Sequence, residues 1–370
     1  MKIDVAVVGG GVIGCSIALR VARSGLKVAV IDRGQVGREA SWAAAGMVAP
    51  QTEAPGPGPF FNLCNRSRSL YPQFAAEVTE LSGIDVEYRD QGSLCIELTE
   101  DDRQHARQWT TWQSEAGFRT ESISRDIMRN MEPAITEAAT GAVFVPNDHQ
   151  VDNRRLMRSL DLALRRLDVG IIEGQAANGL IVERNRVTGI LCGAERIEAG
   201  LVVIAAGCWS GQLLEPVGLK VETIPARGQM VALKGLRSPI NHVVHSNSCY
   251  VIPRLDGRIL VGATVEYVGF QRGITAGGIS SLLAAAIEVA PALKSCEIVE
   301  AWSGLRPDTA DHLPILGESG IDNLLLATGH FRNGILLAPV TAELIAATIL
   351  GGESISELKP FAAARFPGTS

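Results

Sequence analysis

The N-terminal stretch, residues 4–14, constrains the fold more than any other part of the chain. It reads DVAVVGGGVIG, so a short apolar run leads into a glycine cluster and then into an apolar helical pattern. This order is typical of a buried parallel strand followed by a helix that packs on it. A second apolar strand follows and places Asp32 at its carboxyl end. The sequence therefore predicts a β-α-β unit with the geometry of a dinucleotide site.

Each glycine of this stretch has its own expected role. Gly9 permits the tight turn, Gly11 has no Cβ to obstruct a pyrophosphate, and Gly14 lets helix and strand approach closely. The free N–H groups of the first helical turn attract phosphate charge. Asp32 can accept hydrogen bonds from both ribose hydroxyls, which argues against a 2′-phosphate but leaves NAD and FAD open. A glycine-rich structural turn is the alternative interpretation.

Length and composition set the broad class. The 370 residues suffice for one large α/β unit with a second lobe. The net charge of −6 and the lack of a basic run indicate neither a nucleic-acid groove nor binding to an anionic membrane. Seven scattered cysteines without C-x-x-C spacing favour a reducing compartment. Since Met1 leads directly into the first strand with no signal peptide, we expect a cytoplasmic protein.

Several segments carry predictions of local structure. The proline-rich residues 50–60 predict a surface loop, residues 86–88 a strand, and residues 99–131 a charged helical region. From residue 225 onward the alternation of apolar and polar residues predicts an antiparallel second lobe. The most apolar segment, residues 334–352, falls short of a membrane span and predicts a buried helix that begins near Pro339 and ends at Gly351 and Gly352.

The chain resembles the D-amino-acid oxidase superfamily of FAD-dependent oxidoreductases, most closely the glycine oxidases of thiamine biosynthesis. The resemblance is nearly full length and rests on four blocks: the N-terminal GGGVIG with its acid, AAAGM at 43–47, WSGLRP at 302–307 and GHFRNGILLAP at 329–339. It implies an α/β fold in which a Rossmann-like FAD-binding domain of the glutathione-reductase type carries an antiparallel-sheet substrate domain. We expect the FAD-binding domain at 1–85, 147–222 and 307–370, and the substrate domain at 86–146 and 223–306.

The resemblance, together with the strand ends and glycines, also implies the site residues. Arg306 and Arg332 are expected at the substrate, with Tyr250 contributing its hydroxyl. The sequence departs from the family pattern at Val265, where a methionine often stands, and at Ser248, where a histidine can stand. The residues expected to contact FAD are Gly9, Gly11, Val12, Ile13, Gly14, Asp32, Arg33, Ala40, Ser41, Ala45, Gly46, Met47, Ala177, Gly207, His330, Phe331, Arg332, Asn333, Gly334, Ile335 and Leu336.

The chemistry implied is oxidative deamination of a small amino acid, with molecular oxygen as electron acceptor. A guanidinium suits the substrate carboxylate because its planar fork stays charged and forms two parallel hydrogen bonds. No cysteine follows Cys296, which argues for non-covalent FAD. The resemblance further implies a homo-oligomer, with a tetramer as one form. The alternatives are a D-amino-acid dehydrogenase, a sarcosine-oxidase-like enzyme and a flavin-binding module without turnover.

Overall fold

The computed structural model describes residues 3–54, 56–236, 238–351 and 355–366 of the chain. Its helices are α1 (Val12–Ala22), α2 (Ala40–Ala43), α3 (Pro50–Glu53), α4 (Pro59–Ser82), α5 (Glu100–Glu115), α6 (Arg125–Met131), α7 (Asn153–Arg166), α8 (Ser210–Leu214), α9 (Ala276–Val289) and α10 (Gly334–Ile349). Its strands are β1 (Ile3–Val8), β2 (Val28–Ile31), β3 (Met47–Val48), β4 (Ser93–Glu97), β5 (Glu121–Ser124), β6 (Gly141–Val145), β7 (His149–Gln150), β8 (Gly170–Ile172), β9 (Ala177–Glu183), β10 (Arg186–Cys192), β11 (Glu195–Ile204), β12 (Ile224–Lys234), β13 (Val243–His245), β14 (Tyr250–Pro253), β15 (Arg258–Gly262), β16 (Glu297–Asp308), β17 (Ile315–Glu318) and β18 (Leu324–Thr328).

The first sheet has the strand order β17-β18-β11-β1-β2-β8, and its five strands from β18 to β8 are parallel. Strand β1 is central, because Val5 pairs with Val28 of β2 on one side and with Leu201 of β11 on the other. Helices α1, α4, α7 and α10 cover one face of this sheet with a shared apolar core. The antiparallel hairpin β9-β10 extends from β11 on the other face. The predicted β-α-β unit is confirmed.

The second sheet has the strand order β16-β12-β15-β14-β13-β4-β6-β5. Its pairs are antiparallel except for β13 and β4. Helices α6 and α9 pack on one face around an apolar core. A smaller apolar cluster on the other face includes Met230 and packs against Tyr250. The α/β class with an antiparallel second lobe is therefore confirmed, whereas the five-segment division into domains stays a prediction.

Helix α10 begins five residues earlier than predicted. Pro339 lies inside it and cannot donate the hydrogen bond that the carbonyl of Ile335 would otherwise accept. The hydroxyl of Tyr71 donates to that carbonyl over 3.0 Å, so the helix tolerates the proline. The helix ends at Ile349, and Gly352 lies outside the described residues. No helix in the described part of the chain has the length and apolar character needed to cross a membrane.

The prediction of a surface loop at residues 50–60 is wrong at its start. Pro50–Glu53 forms one helical turn, and Pro50 and Gln51 are buried. The carboxylate of Asp148 accepts hydrogen bonds from the backbone N–H groups of Gln51 and Thr52, each over 3.1 Å, and so caps this turn from nearly a hundred residues away.

Two further local predictions also differ from the structure. Residues 86–88 form no strand, because Glu87 has a positive φ of 53° that interrupts an extended path, and the neighbouring Arg89 forms an isolated bridge with Gln150. The predicted helical region at 99–131 is divided into α5, β5 and α6. Helix α5 ends just before Gly117, whose positive φ of 82° breaks the helical path.

Candidate active site

A cavity of about 450 Å³ lies where the parallel strands of the first sheet end and the second sheet begins. The first sheet contributes the ends of β1, β2 and β18 and the turn after β11, and the second sheet contributes β12, β14 and β16. The cavity is lined by these residues predicted from the sequence: Gly9, Gly11, Val12, Ile13, Asp32, Arg33, Ala40, Ser41, Ala45, Gly46, Met47, Ala177, Gly207, Tyr250, Arg306, His330, Phe331, Arg332, Asn333, Gly334 and Ile335.

Gly14 and Leu336 are the two predicted residues that do not line the cavity. A Cβ on Gly14 would lie 1.9 Å from the carbonyl oxygen of Gly9, so Gly14 allows α1 to pack against β1. Leu336 is buried in the core of the first sheet, and its carbonyl accepts a hydrogen bond from Ser67 over 2.6 Å. Gly9 has a φ of 109°, a conformation that favours glycine.

Asp32 lies at the end of β2 as predicted, and its carboxylate organises the glycine turn. It accepts hydrogen bonds from the backbone N–H of Gly10 over 2.7 Å and of Gly34 over 2.8 Å. The Ser41 hydroxyl accepts from the N–H of Val12 over 2.8 Å, which ties α2 to the first turn of α1. Each carboxylate oxygen of Asp32 retains a lone pair for a further donor such as a ribose hydroxyl.

The end of the cavity formed by the glycine turn and Asp32 also contains Trp209 and Glu39, which the sequence interpretation did not predict. The guanidinium of Arg33 lies 3.6 Å from the centre of the Trp209 ring. Glu39 pairs with Arg33 over 3.2 Å and with Arg272 over 2.8 Å. Trp209 follows the predicted contact Gly207 by two residues, so its position after the strand was the available signal.

Arg306 lies on β16, which pairs with β12, and its side chain lines the cavity. Its Nη1 donates to the carbonyl of Thr264 over 3.0 Å. A Cβ on Gly228 would lie only 2.2 Å from this nitrogen, so glycine at this position of β12 lets the guanidinium lie against the strand. Burial raises the pKa of Tyr250, while the charges of Arg306 and Arg332 partly oppose that shift. The Tyr250 hydroxyl therefore keeps its proton and remains a donor beside a charged guanidinium.

Arg332 lies in the glycine-bounded turn between β18 and α10 and forms an ion pair that the sequence did not predict. Its Nε is 3.1 Å from Oε2 of Glu53, and its Nη2 is 3.2 Å from Oε1. His330 in the same turn is buried, and burial lowers its pKa to about 3, so this imidazole is neutral at physiological pH.

A buried arginine supports the loop that forms one wall of the cavity. Arg254 donates to the carbonyls of Ala45, over 2.6 Å, and Val151, over 3.0 Å. It also contacts the side chains of Gln150 and Asn153 at 3.1 and 3.3 Å. Burial lowers the pKa of Arg254 to about 10, which still leaves the guanidinium charged at neutral pH. It was missed because nothing local to Arg254 indicates which carbonyls it reaches.

The two departures from the family pattern lie outside the cavity lining. Val265 is 45% exposed, so the length of its side chain does not set the size of the cavity. Ser248 instead lines a separate groove beside α9, together with Ala263 and Thr264. Within the described residues, no group of three or more His, Cys, Asp or Glu side chains is arranged to hold a metal ion.

The residues of the cavity fit FAD. The glycine turn and the start of α1 would hold the pyrophosphate, because Gly11, Val12 and Ile13 line the cavity at the N-terminus of this helix, where backbone N–H groups favour an anion. Asp32 would hold the ribose, and the wall near Ala45 and the start of α10 would hold the flavin ring system. Arg306 and Tyr250 line the same cavity and provide a charged donor for a small anionic molecule.

Comparisons with known proteins agree with this geometry. The model of the family "DAO: FAD dependent oxidoreductase" matches residues 4–348. The chain is 34% identical to a glycine oxidase of Bacillus licheniformis, over 95% of this chain and 94% of that protein. It is 37% identical to the bifunctional protein ThiO/ThiG of Trichormus variabilis, covering 99% of this chain but only 55% of that longer protein. The structure of glycine oxidase from Geobacillus kaustophilus superposes with a TM-score of 0.94 at 34% identity, covering 99% of this chain and 100% of that chain.

Proposed function

The chain belongs to the DAO family of FAD-dependent oxidoreductases and is a glycine-oxidase-like enzyme, and on this premise we propose that it oxidises glycine, sarcosine, other small N-substituted glycines and D-alanine. In the proposed reaction with glycine, the amino acid, water and O₂ yield glyoxylate, ammonia and hydrogen peroxide. N-substituted glycines yield the corresponding amine instead of ammonia.

One observation carries this proposal: a single cavity joins the dinucleotide motif to Arg306 and Tyr250. The glycine turn and Asp32 lie at one end, and a guanidinium with a protonated hydroxyl lies at the other. This arrangement supports a reaction in which an anionic substrate is held against a bound flavin. The identity of 34–37% to curated glycine oxidases and ThiO/ThiG supports a small amino acid as that substrate.

In the proposed mechanism, the protein binds and orients the substrate. Bound FAD would supply the redox chemistry by accepting the α-hydrogen as hydride. Arg306 holds the substrate carboxylate in a two-pronged hydrogen-bonded contact, and the Tyr250 hydroxyl donates to the same group. Thr264 fixes Arg306 through its carbonyl, so the α-carbon is presented in one orientation. Apolar side chains such as Met230 keep water away from the reacting centre.

Three further features belong to the same proposal. FAD is bound non-covalently, which is supported by the lack of any cysteine after Cys296. The physiological role lies in thiamine biosynthesis, which is supported by the similarity to ThiO/ThiG. The protein acts in the cytoplasm, which is supported by its scattered cysteines, and forms a homo-oligomer, which its resemblance to the glycine oxidases implies.

Anaerobic mixing of the flavin-loaded protein with glycine or sarcosine tests the proposal. We expect the flavin absorbance to bleach, and readmitted oxygen to restore it with one peroxide per substrate. A flavin that no glycine derivative bleaches would leave a binding module without turnover. Bleaching without reoxidation by oxygen would favour the D-amino-acid dehydrogenase alternative.

Acid precipitation tests the attachment of the cofactor. We expect the yellow colour in the supernatant, because no covalent bond retains it. Colour that remains in the pellet would instead favour a sarcosine-oxidase-like covalent flavin. A faster reaction with bulky D-amino acids than with every glycine derivative would contradict the substrate assignment.

A further inference from the structure

Arg306 and Arg332 are the two cavity arginines expected at the substrate, and they differ because Arg332 already has a carboxylate partner. Nε and Nη2 of Arg332 face the two carboxylate oxygens of Glu53, at 3.1 and 3.2 Å. The Glu53 side chain is only 7% exposed, whereas that of Arg332 is 43% exposed and borders the cavity. Two-pronged pairs of this kind are strong and geometrically specific.

Glu53 is held in place by its own surroundings. It ends the one-turn helix α3, which the buried carboxylate of Asp148 caps at its start. The hydroxyl of Thr52 also donates to Asp148 over 2.7 Å. The side chain of Gln51 is fixed by Gln113 over 2.6 Å. The Glu53 carboxylate is therefore a built part of the cavity wall.

Arg306 has no such partner. Among the described residues, no carboxylate pairs with Arg306, and its guanidinium donates to the neutral carbonyl of Thr264. The side chains of Tyr250, Arg306, Arg332 and Glu53 all line the cavity, and the charges of the last three act on the Tyr250 hydroxyl, so the four groups share one region. The net positive charge available to a substrate in that region is consequently that of Arg306 alone.

We propose that Glu53 restricts the site to substrates with one carboxylate, because it neutralises Arg332. This inference rests on the proposed function. An amine with a second carboxylate on its nitrogen substituent, such as iminodiacetate, would find Arg332 occupied. Its second charge would also meet the negative charge of Glu53 in a poorly hydrated site. Glu53 thus determines which substrates can bind beside Arg306 for the proposed reaction.

The substitution Glu53→Gln removes the charge and keeps the size of the side chain. The assay measures kcat/KM for sarcosine and iminodiacetate from peroxide release. We expect the ratio of iminodiacetate to sarcosine to rise at least about tenfold, which corresponds to about 1.4 kcal/mol. The double variant Glu53→Gln, Arg332→Gln should lose that gain, since the freed guanidinium is absent. Glu137→Gln removes a carboxylate from an exposed pair with Arg129 and should leave the ratio unchanged.

Wild-type protein provides a test that does not depend on folding of a variant. Methoxyacetate and diglycolate are the ether analogues of sarcosine and iminodiacetate and cannot be deaminated. Methoxyacetate should inhibit at a concentration at least about tenfold lower than diglycolate. Equal inhibition by the two compounds would overturn the inference.

The outcomes separate this inference from the proposed function. A wild-type protein that oxidises sarcosine, with an unchanged substrate ratio in Glu53→Gln, overturns the role of Glu53 and leaves the function intact. A gain that persists in the double variant overturns the role of Arg332 as the released cation. A wild-type flavin that no glycine derivative reduces overturns the function itself.

Discussion

Replacing Arg254 by methionine should destabilise the cavity wall by about 3–6 kcal/mol. The guanidinium contacts the carbonyls of Ala45 and Val151 and the side chains of Gln150 and Asn153. The two side chains can turn toward other partners, whereas the two backbone carbonyls cannot. A hydrogen bond from a charged donor contributes about 1.5–3 kcal/mol, so the two carbonyls account for the expected loss. Methionine keeps most of the apolar volume, which limits any additional cavity term.

The loss should appear in FAD binding as well as in unfolding, because Ala45 lies in the wall that lines the cavity. If half of the smaller value, about 1.5 kcal/mol, is lost from the FAD-bound state, FAD affinity falls by about tenfold. Titration of apoprotein with FAD, followed by flavin fluorescence, measures this change, and urea unfolding measures the total. Arg254→Lys should recover part of the loss, since one ammonium keeps the charge but cannot reach both carbonyls.

Arg258→Met on the same hairpin is the matched control. Arg258 pairs with Asp256 over 2.7 Å and with Asp152 over 3.3 Å at a partly exposed site, so its loss should cost about 1 kcal/mol or less. FAD affinity in this variant should equal that of the wild type. Wild-type FAD affinity in Arg254→Met would refute the argument that this arginine holds the cavity wall.

Three other predictions address the substrate, the cofactor and pH. Arg306→Ala should weaken glycine binding by about tenfold to a hundredfold, from the loss of about 1.5–3 kcal/mol, and Arg306→Lys should restore part of the affinity. Unchanged kinetics of flavin reduction by glycine in the Ala variant would remove Arg306 from the site. Gly11→Val should abolish FAD retention on gel filtration, because a Cβ there would lie 3.2 Å from Ser41 Oγ and the branched side chain would occupy the expected pyrophosphate position. A yellow variant would contradict this. Burial raises the pKa of Asp148 to about 7, so its stabilising contribution is full below pH about 4 and is lost as pH rises through 7. Asp148→Asn should flatten this part of the pH profile of stability to urea, and an unchanged slope would assign the pH dependence to another group.

The sequence predicted those parts of the site that depend on neighbouring residues. The glycine turn, the helix after it and Asp32 at the end of β2 form one continuous local pattern, and the structure contains them as predicted. Asp152 likewise caps α7, which begins at the next residue, and accepts from the N–H groups of Arg154 and Arg155. In each case the residues that interact are close in sequence or follow a regular period.

The remaining features depend on partners that are far apart in the chain. Pro339 indicated a helix start, but Tyr71, more than 260 residues away, lets the helix begin earlier. The prolines around residue 50 indicated a loop, but Asp148 caps a helical turn there. The pairing of Glu53 with Arg332 spans 279 residues. Residue propensities and hydrophobic periodicity carry no information about such contacts, because the contacts depend on how the completed sheets meet.

The central position of β1 has a consequence for how the chain is made. Its one edge can pair with β2 almost immediately, but the other edge waits for β11, nearly 200 residues later. At ribosomal rates this interval lasts roughly 10–40 s. Strand β11 in turn waits for β18, beyond residue 320. A nascent chain therefore exposes an apolar, unpaired strand edge throughout most of its synthesis, and the yield of native protein should fall as the local concentration of nascent chains rises.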